Sequence, residues 1–415
     1  MKARLLLSGL IWASAASLRA TDDIFERVEQ ALTWSASDAQ FRSRLSGLMD
    51  LEGYVFSRPV PGVLHSEGRT LLSPRLTLFF DAQLGAPLYF FAQARADRGF
   101  DPGANSGQVR VDEYAVRYTP WRDARFNVQA GKFATVVGNW VVRHASWTNP
   151  FITAPLAYEN LTGIWDTEGV RSSGTLLQWS HVRPGLPAAV TAREKFLRVP
   201  IVWGPSYAIG AAISGEVRRM NYAFEVKQAS LSSRPETWNR TGEAWEHPTV
   251  SGRLGYRPNH RWNLGVSAST GAYLQPFAAA TLPAGRRFGD YRQTVLAHDL
   301  TFAWRHFQLW AEVTAARFEI PGVADADTVA AYVETKYKFT PQLSGAVRFN
   351  QQWFDTIPDR GGFTRWGRNQ WRIDFAPAYR FTTQMQLKLQ YSLQNGDNGR
   401  RNYSHSAATQ LTVRF

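Results

Sequence analysis

From about Leu45 to its last residue the chain alternates apolar and polar positions. In "QMQLKLQYSLQ", Met385, Leu387, Leu389 and Tyr391 share one face, and Gln386, Lys388, Gln390 and Ser392 share the other. "FQLWAEVTA" sets Phe307, Leu309, Ala311 and Val313 against Gln308, Trp310, Glu312 and Thr314, and "RMNYAFEVKQ" sets Met220, Tyr222, Phe224 and Val226 against Asn221, Glu225 and Lys227. Period-two alternation predicts strands with one apolar and one polar face. Short connections are expected at Gly85-Ala86-Pro87, Thr119 to Asp123, Ser173-Gly174, Ser214-Gly215-Glu216, Arg257 to His260, Arg305-His306, Thr340-Pro341 and Thr382-Thr383. Between them fall longer polar stretches near 57–69, 98–108, 138–165, 183–204, 230–249, 272–291, 319–327, 355–368 and 394–402. Eight turns and nine loops predict eighteen strands. Sixteen is the alternative, because "VRSSGTLLQWSHV" within Asp166 to Arg198 makes two poor strands.

Residues 22–44 break the pattern. "DDIFERVEQALTW" puts Phe25, Val28, Leu32 and Trp34 at helical spacing, with Asp22 or Asp23 as the N-cap. A short amphipathic helix or a tether is expected there. Before it, "MKARLLLSGLIWASAASLRA" has a basic start, an apolar middle and the small-residue pattern Ala13-Ser14-Ala15, with Ala20 as a second cleavage position. It reads as a secretory signal peptide, residues 1–20, and its apolar run is too short for a membrane helix. Its loss removes Lys2, Arg4 and Arg19, taking the formal charge from +13 to +10. The organisation expected is signal peptide 1–20, N-terminal segment 21–44 and a β-domain over 45–415.

Composition narrows the class. The 415 residues include no cysteine, so disulfides, thiolate catalysis and Cys-ligated zinc are excluded. No later stretch approaches the ~20 apolar residues of a membrane helix, yet there are 16 Trp, 15 Tyr and 25 Phe. Pairs such as Tyr118 and Trp121, Tyr256 and Trp262, Trp304 and Phe307, Tyr337 and Phe339, and Tyr379 and Phe381 flank short turns. A soluble sandwich would place them mid-strand, in its core, whereas a transmembrane barrel needs such rings at its interfaces. The expected fold is therefore an all-β, transmembrane antiparallel β-barrel.

The chain ends "AATQLTVRF", with Leu411, Val413 and Phe415 on one face of a strand that stops on an aromatic residue. With the turn-and-loop asymmetry and the signal peptide, this resembles the porins of Gram-negative outer membranes, over the architecture from about residue 45 onward. The resemblance implies short periplasmic turns, long extracellular loops, residence in the outer membrane, and a terminal strand read by the barrel-assembly machinery. It raises a homotrimer as the assembly. It implies a water-filled channel for passive diffusion of small hydrophilic solutes, with no cofactor.

If the apolar faces meet lipid, the polar faces line the lumen. Parity sends Arg75, Arg95, Arg117, Arg219, Lys227, Lys336, Arg348, Arg372 and Lys388 inward, with Asp81, Asp97, Glu113, Glu225, Glu312, Glu334 and Asp374. Nine cations against seven acids predict a mild anion preference rather than a dedicated filter. Lys132 falls on the lipid face, which points to a bulge near Gly131. The longest loop, Val136 to Trp165, is rich in apolar residues and is expected to fold against something. In porins the loop at this position narrows the barrel, and by that resemblance Arg143, His144, Asn149, Tyr158 and Glu159 are candidates for the constriction.

Other basic residues gather in predicted loops: Arg183, Arg193, Lys195 and Arg198; Arg286 and Arg287; Arg360, Arg365 and Arg368; Arg400 and Arg401. They suit the phosphates of lipopolysaccharide or a funnel for anions; nucleic acid is not the expected partner of an exported barrel. A substrate-selective carbohydrate channel is the nearer alternative, with Trp310 and Tyr332 as possible sugar platforms. An outer-membrane barrel enzyme is the more distant one, since eight scattered histidines, no G-x-S-x-G, no H-E-x-x-H and no P-loop leave no catalytic or metal motif. Asp325-Ala326-Asp327 more simply reads as solvated than as a calcium site.

Overall fold

The computed structural model describes residues 27–36, 40–57, 68–99, 107–182, 197–240, 242–396 and 403–415. The expected signal peptide, Phe25 and its candidate caps, and the loop cations Arg183, Arg193, Lys195, Arg400 and Arg401 lie outside them.

Sixteen long strands form one antiparallel meander: β1 Phe41–Phe56, β2 Thr70–Leu84, β3 Leu88–Asp97, β4 Gln108–Tyr118, β5 Asn127–Phe133, β6 Ala208–Val217, β7 Met220–Lys227 and β8 Thr249–Asn259. It continues with β9 Trp262–Ala272, β10 Arg292–Trp304, β11 Phe307–Phe318, β12 Ala326–Lys338, β13 Leu343–Phe354, β14 Gln370–Arg380, β15 Met385–Gly396 and β16 Tyr403–Arg414. Each pairs with the next, and β16 returns to β1 from Ser406↔Phe56 to Arg414↔Leu48. Closure leaves no ladder edge whose N–H and C=O groups lack partners.

The barrel thus has sixteen strands, not eighteen. Ser173-Gly174 is no turn: Ser173–Trp179 is a helix whose N-cap Ser172 accepts from the Thr175 amide. Leu176 and Leu177 are adjacent and both fully buried. A barrel strand would turn one of them outward; a helix folded into the interior buries both. The other seven turns join β2–β3, β4–β5, β6–β7, β8–β9, β10–β11, β12–β13 and β14–β15 and gather at one rim, while the longer connections gather at the opposite rim.

The two faces of the wall differ as alternation requires. Outside, Leu72, Val266, Leu296, Val333, Phe349 and Leu389 are each about half exposed. So continuous an apolar belt suits hydrocarbon rather than water. The turn-flanking Tyr118, Trp121, Tyr256, Trp262, Trp304, Tyr337, Phe339, Tyr379 and Phe381 are exposed at one rim, as an interfacial girdle requires.

At the N-terminus residues 27–31 are helical, and Thr33–Ser35 then pairs with the overhanging start of β1, Thr33 opposite Arg44. Trp34 therefore sits on a strand and not on a helix face. At the other end Phe415 and Gly47 exchange both backbone hydrogen bonds, at 2.9 and 3.1 Å. The Phe415 ring lies over Gly47, where a Cβ would come within 2.4 Å of it. Leu411 and Val413 pair with Leu51 and Met49 of β1, closing the cylinder.

Candidate functional site in the barrel lumen

The connection from β5 to β6 enters the lumen and packs along one side of it. Its apolar residues Val137, Val141, Ile164, Leu176, Val199 and Ile201 join Val295, Ala297, Phe318 and Ala330 from the inner face of β10–β12 in one buried cluster. The interior is therefore polar along most strands but apolar toward the loop end of β10–β13, and this patch receives the apolar loop.

Polar clamps fix the insertion. Thr135 donates to Glu225 of β7 (2.6 Å), and the Asn139 amide and Tyr158 hydroxyl both donate to Glu312 of β11 (2.8 and 2.5 Å). Arg143 pairs with Glu334 of β12 and lies 4.6 Å above the Trp310 ring. Arg348 of β13 pairs with Asp374 (2.8 Å) and donates to the Thr153 carbonyl (3.0 Å). Arg372 of β14 pairs with Glu159 (3.3 Å), and Lys388 of β15 donates to the carbonyls of Ser146 and Asn149 (2.7 and 3.0 Å). A charge held in a water-poor interior needs such partners. Gly138 (φ +77°) makes the close approach possible, since a Cβ there would meet the Tyr158 hydroxyl and the Glu312 carboxylate.

Space remains on the side of β1–β4. A cavity of about 190 Å³ lies between the inserted segment and that wall, with Arg75, Arg95 and Asp50 on the wall and His144, Asn149 and Phe151 on the segment. The wall charges are paired: Arg75 with Asp50 and Glu52 (2.9 and 2.5 Å), Arg95 with Asp112 (3.1 Å), and Arg110 with Asp97 and Asp112 (2.5 and 2.9 Å). Adjoining it, nearer the turn rim, is a chamber of about 730 Å³ that shares Leu48, Phe79, Gln93 and Ala145 with it and adds Tyr89, Phe91, Arg117 and Trp147.

The five loop candidates thus divide. His144 and Asn149 border the cavity beside β1–β4, whereas Arg143, Tyr158 and Glu159 are buried anchors facing the opposite wall. His144 bonds the Tyr207 hydroxyl through Nε2 (2.7 Å) and the Val141 carbonyl through Nδ1. Burial lowers its pKa from 6.5 to about 4, so the ring is neutral at physiological pH. Glu159 is pushed above the usual carboxylate range by burial, against the opposing charges of Arg372 and Arg348.

Among the wall candidates, Arg75, Arg95 and Arg117 line free space, Lys336 lies near Lys338 and Arg380 at the turn rim, and Arg348 and Arg372 are covered by the insertion. Arg219 does not reach the wall. The β6–β7 turn is Arg218-Arg219, a few residues beyond Ser214-Gly215-Glu216, because β6 runs on to Val217; Arg219 is exposed in that turn. Lys132 is buried, its Nζ on the Val111 carbonyl (2.9 Å), beside Gly131 at φ +139°. Trp310 and Tyr332 lie under the inserted segment, Tyr332 bonded to Asn139 (2.6 Å), and so do not face an open track.

The sequence reading missed Asp50 and Glu52, although "MDLEG" alternates in plain sight. It also missed Asp112, which parity cannot find: the β3–β4 register shifts between Gln93 and Ala94, and both Asp112 and Glu113 turn inward.

No family model matches the sequence, and no curated protein matches it. Solved structures do. OmpF of Salmonella typhi, in complex with daunomycin, aligns over 92% of this chain and 100% of its own with a TM-score of 0.56 at 12% identity. The fold is that of a porin barrel. The outer-membrane channel DcaP of Acinetobacter baumannii aligns over 92% and 99% (TM-score 0.54, 11% identity). The anion-selective porin of Comamonas acidovorans aligns over 90% and 100% (0.53, 9%). At such identities the likeness concerns the fold alone.

Proposed function

We propose that this protein is an outer-membrane porin-type channel of a Gram-negative bacterium, passing small hydrophilic solutes by diffusion, with a mild anion preference and without enzymatic activity. The observation that carries the reading is a closed sixteen-strand cylinder, apolar outside, whose long β5–β6 connection narrows but does not fill its polar interior. The free space lies beside β1–β4, where the acids are matched by Arg75, Arg95 and Arg110. At the turn rim Lys336, Lys338 and Arg380 have no acidic partner among the described residues, which favours anions in that half. The turn rim is then periplasmic, the loop rim extracellular. Exposed Arg286, Arg287, Arg360 and Arg365 at the loop rim suit lipopolysaccharide phosphates. A homotrimer and delivery by the barrel-assembly machinery, through the Leu411, Val413 and Phe415 terminus, belong to the same proposal; one solved relative in fold, OmpT of Vibrio cholerae, is known in a trimer form.

Reconstitution into a planar bilayer under a salt gradient tests it. Small ohmic steps with a reversal potential displaced modestly toward the anion side are expected. Silent insertion of folded barrels, or a marked cation preference, would overturn the channel or its selectivity respectively.

A further inference from the structure

The chamber of about 730 Å³ is wider than a passage for water and single ions requires, and its lining is not uniform. On β3, Tyr89 and Phe91 point into it side by side, ring centroids 6.0 Å apart and 30° from parallel, which makes a half-buried aromatic strip with the Arg117 guanidinium 5.8 and 5.9 Å from the two ring centres.

Around the strip are three cations, Arg44, Arg117 and Arg414, and three acids, Glu29, Asp81 and Glu113. Only Arg44 and Glu29 neutralise each other, at 2.7 Å. Among the described residues the remaining four have only neutral partners. Asp81 accepts from the Tyr89 hydroxyl, and Glu113 accepts from the Ala134 amide (2.8 Å). Arg117 donates twice to Gln129 Oε1 (3.0 and 2.8 Å), while Arg414 stacks 4.6 Å from the Trp147 ring centre. Along β1–β4 the other inward charges, Arg75, Arg95, Arg110 and their acids, are matched in direct pairs, so two acids and two cations left unmatched in one chamber stand apart.

A simple ion of either sign would be drawn by two of these groups and repelled by the other two. A solute carrying both signs gains from both, and the aromatic strip offers contact to an apolar body between its ends. We propose that the chamber binds a small zwitterion with an apolar side chain, of the amino-acid or short-peptide class. The ammonium would lie toward Asp81 and Glu113, and the carboxylate toward Arg117 and Arg414. The inference takes the lumen as the solute's route, and in that respect rests on the channel reading. Because the chamber opens to solvent, binding is weak, with a dissociation constant on the order of 1 mM.

The test is calorimetric titration of the folded barrel in detergent with the dipeptide Ala-Phe, its N-acetyl form, its C-terminal amide and maltose. Blocking either terminal charge is expected to weaken binding about fivefold, the upper range for partly exposed ion pairs. Asp81→Asn should remove most of the penalty for acetylation, and Arg414→Gln most of that for amidation. Arg257→Gln, in an exposed pair with Glu216 outside the chamber, should change neither. A difference in gel migration between unboiled and boiled samples verifies that each variant is folded. Capped and uncapped peptides of equal affinity, maltose binding with the same sensitivity to the variants, or no heat at saturating peptide would each overturn the proposal. A barrel that conducts without binding sinks this inference alone; one that binds without conducting sinks only the channel reading.

Discussion

The two halves of the barrel wall carry the same kind of lining and use it differently. Along β11–β15 most inward charges are sealed: the side chains of Glu334, Arg348 and Asp374 have no exposure, and Arg372, paired with Glu159 of the inserted segment, almost none, while Lys336 at the turn rim is the exception. Along β1–β4 the acids Asp50, Glu52 and Asp112 are as deeply buried, but their partners Arg75 and Arg95 keep 23% and 19% exposure toward the free space. Inward parity therefore does not specify a role. A lumen charge is a buried clamp where the inserted segment covers it and borders free space where that segment is absent.

The sharpest way to break this contrast is in the covered half. Arg348→Ala leaves Glu334 and Asp374 short of a buried partner and is expected to cost about 3–5 kcal/mol, read from urea unfolding of the barrel in detergent. If stability is unchanged, the clamp description fails. Tyr158→Phe removes one donor to Glu312, and a loss of about 1.5–3 kcal/mol is expected. Its more telling readout is single-channel noise, which should rise as the inserted segment loosens.

In the open half the larger effect should be on permeation. Arg75→Gln leaves Asp50 with Thr412 and Glu52 with Gln410 and Tyr54 as remaining donors, so a smaller loss of about 1–2 kcal/mol is expected. The reversal potential under a salt gradient should move toward cations. An unchanged potential would remove Arg75 from the passage.

At neutral pH the smallest effect concerns His144. Its folded pKa lies below its unfolded value, so between pH 6.5 and about 4 the unfolded chain binds more protons and stability falls as pH is lowered. Below about pH 4 the contribution levels off. His144→Gln should flatten that part of the stability–pH curve while leaving stability at pH 8 nearly the same. A slope that persists in the variant would assign the effect to another group.

Much of the cylinder was legible. Met385, Leu387 and Leu389 against Gln386, Lys388 and Gln390 name a strand and both its faces without any partner being known. Where reading failed, the interaction was not local. Lys388 faces inward by parity, but that its ammonium holds the carbonyls of Ser146 and Asn149 depends on residues some 240 positions away. The segment around Leu176 and Leu177 fails as a strand by its pattern alone, yet only the apolar patch inside β10–β13 makes it a buried helix. Asp112 escaped because a bulge resets parity, and nothing in its neighbours announces one.

Alternation, turn residues and the aromatics beside the turns determined by themselves that this chain forms an antiparallel wall with one face for hydrocarbon and one for polar groups. These are nearest-neighbour properties of an extended backbone, in which successive side chains must point to opposite sides. The tertiary structure alone decided that sixteen strands close the ring, that the β5–β6 connection lies against β7–β15, and that free volume survives beside β1–β4. Such choices depend on matching a loop's apolar surface and buried charges to a distant wall, and no local pattern encodes that match.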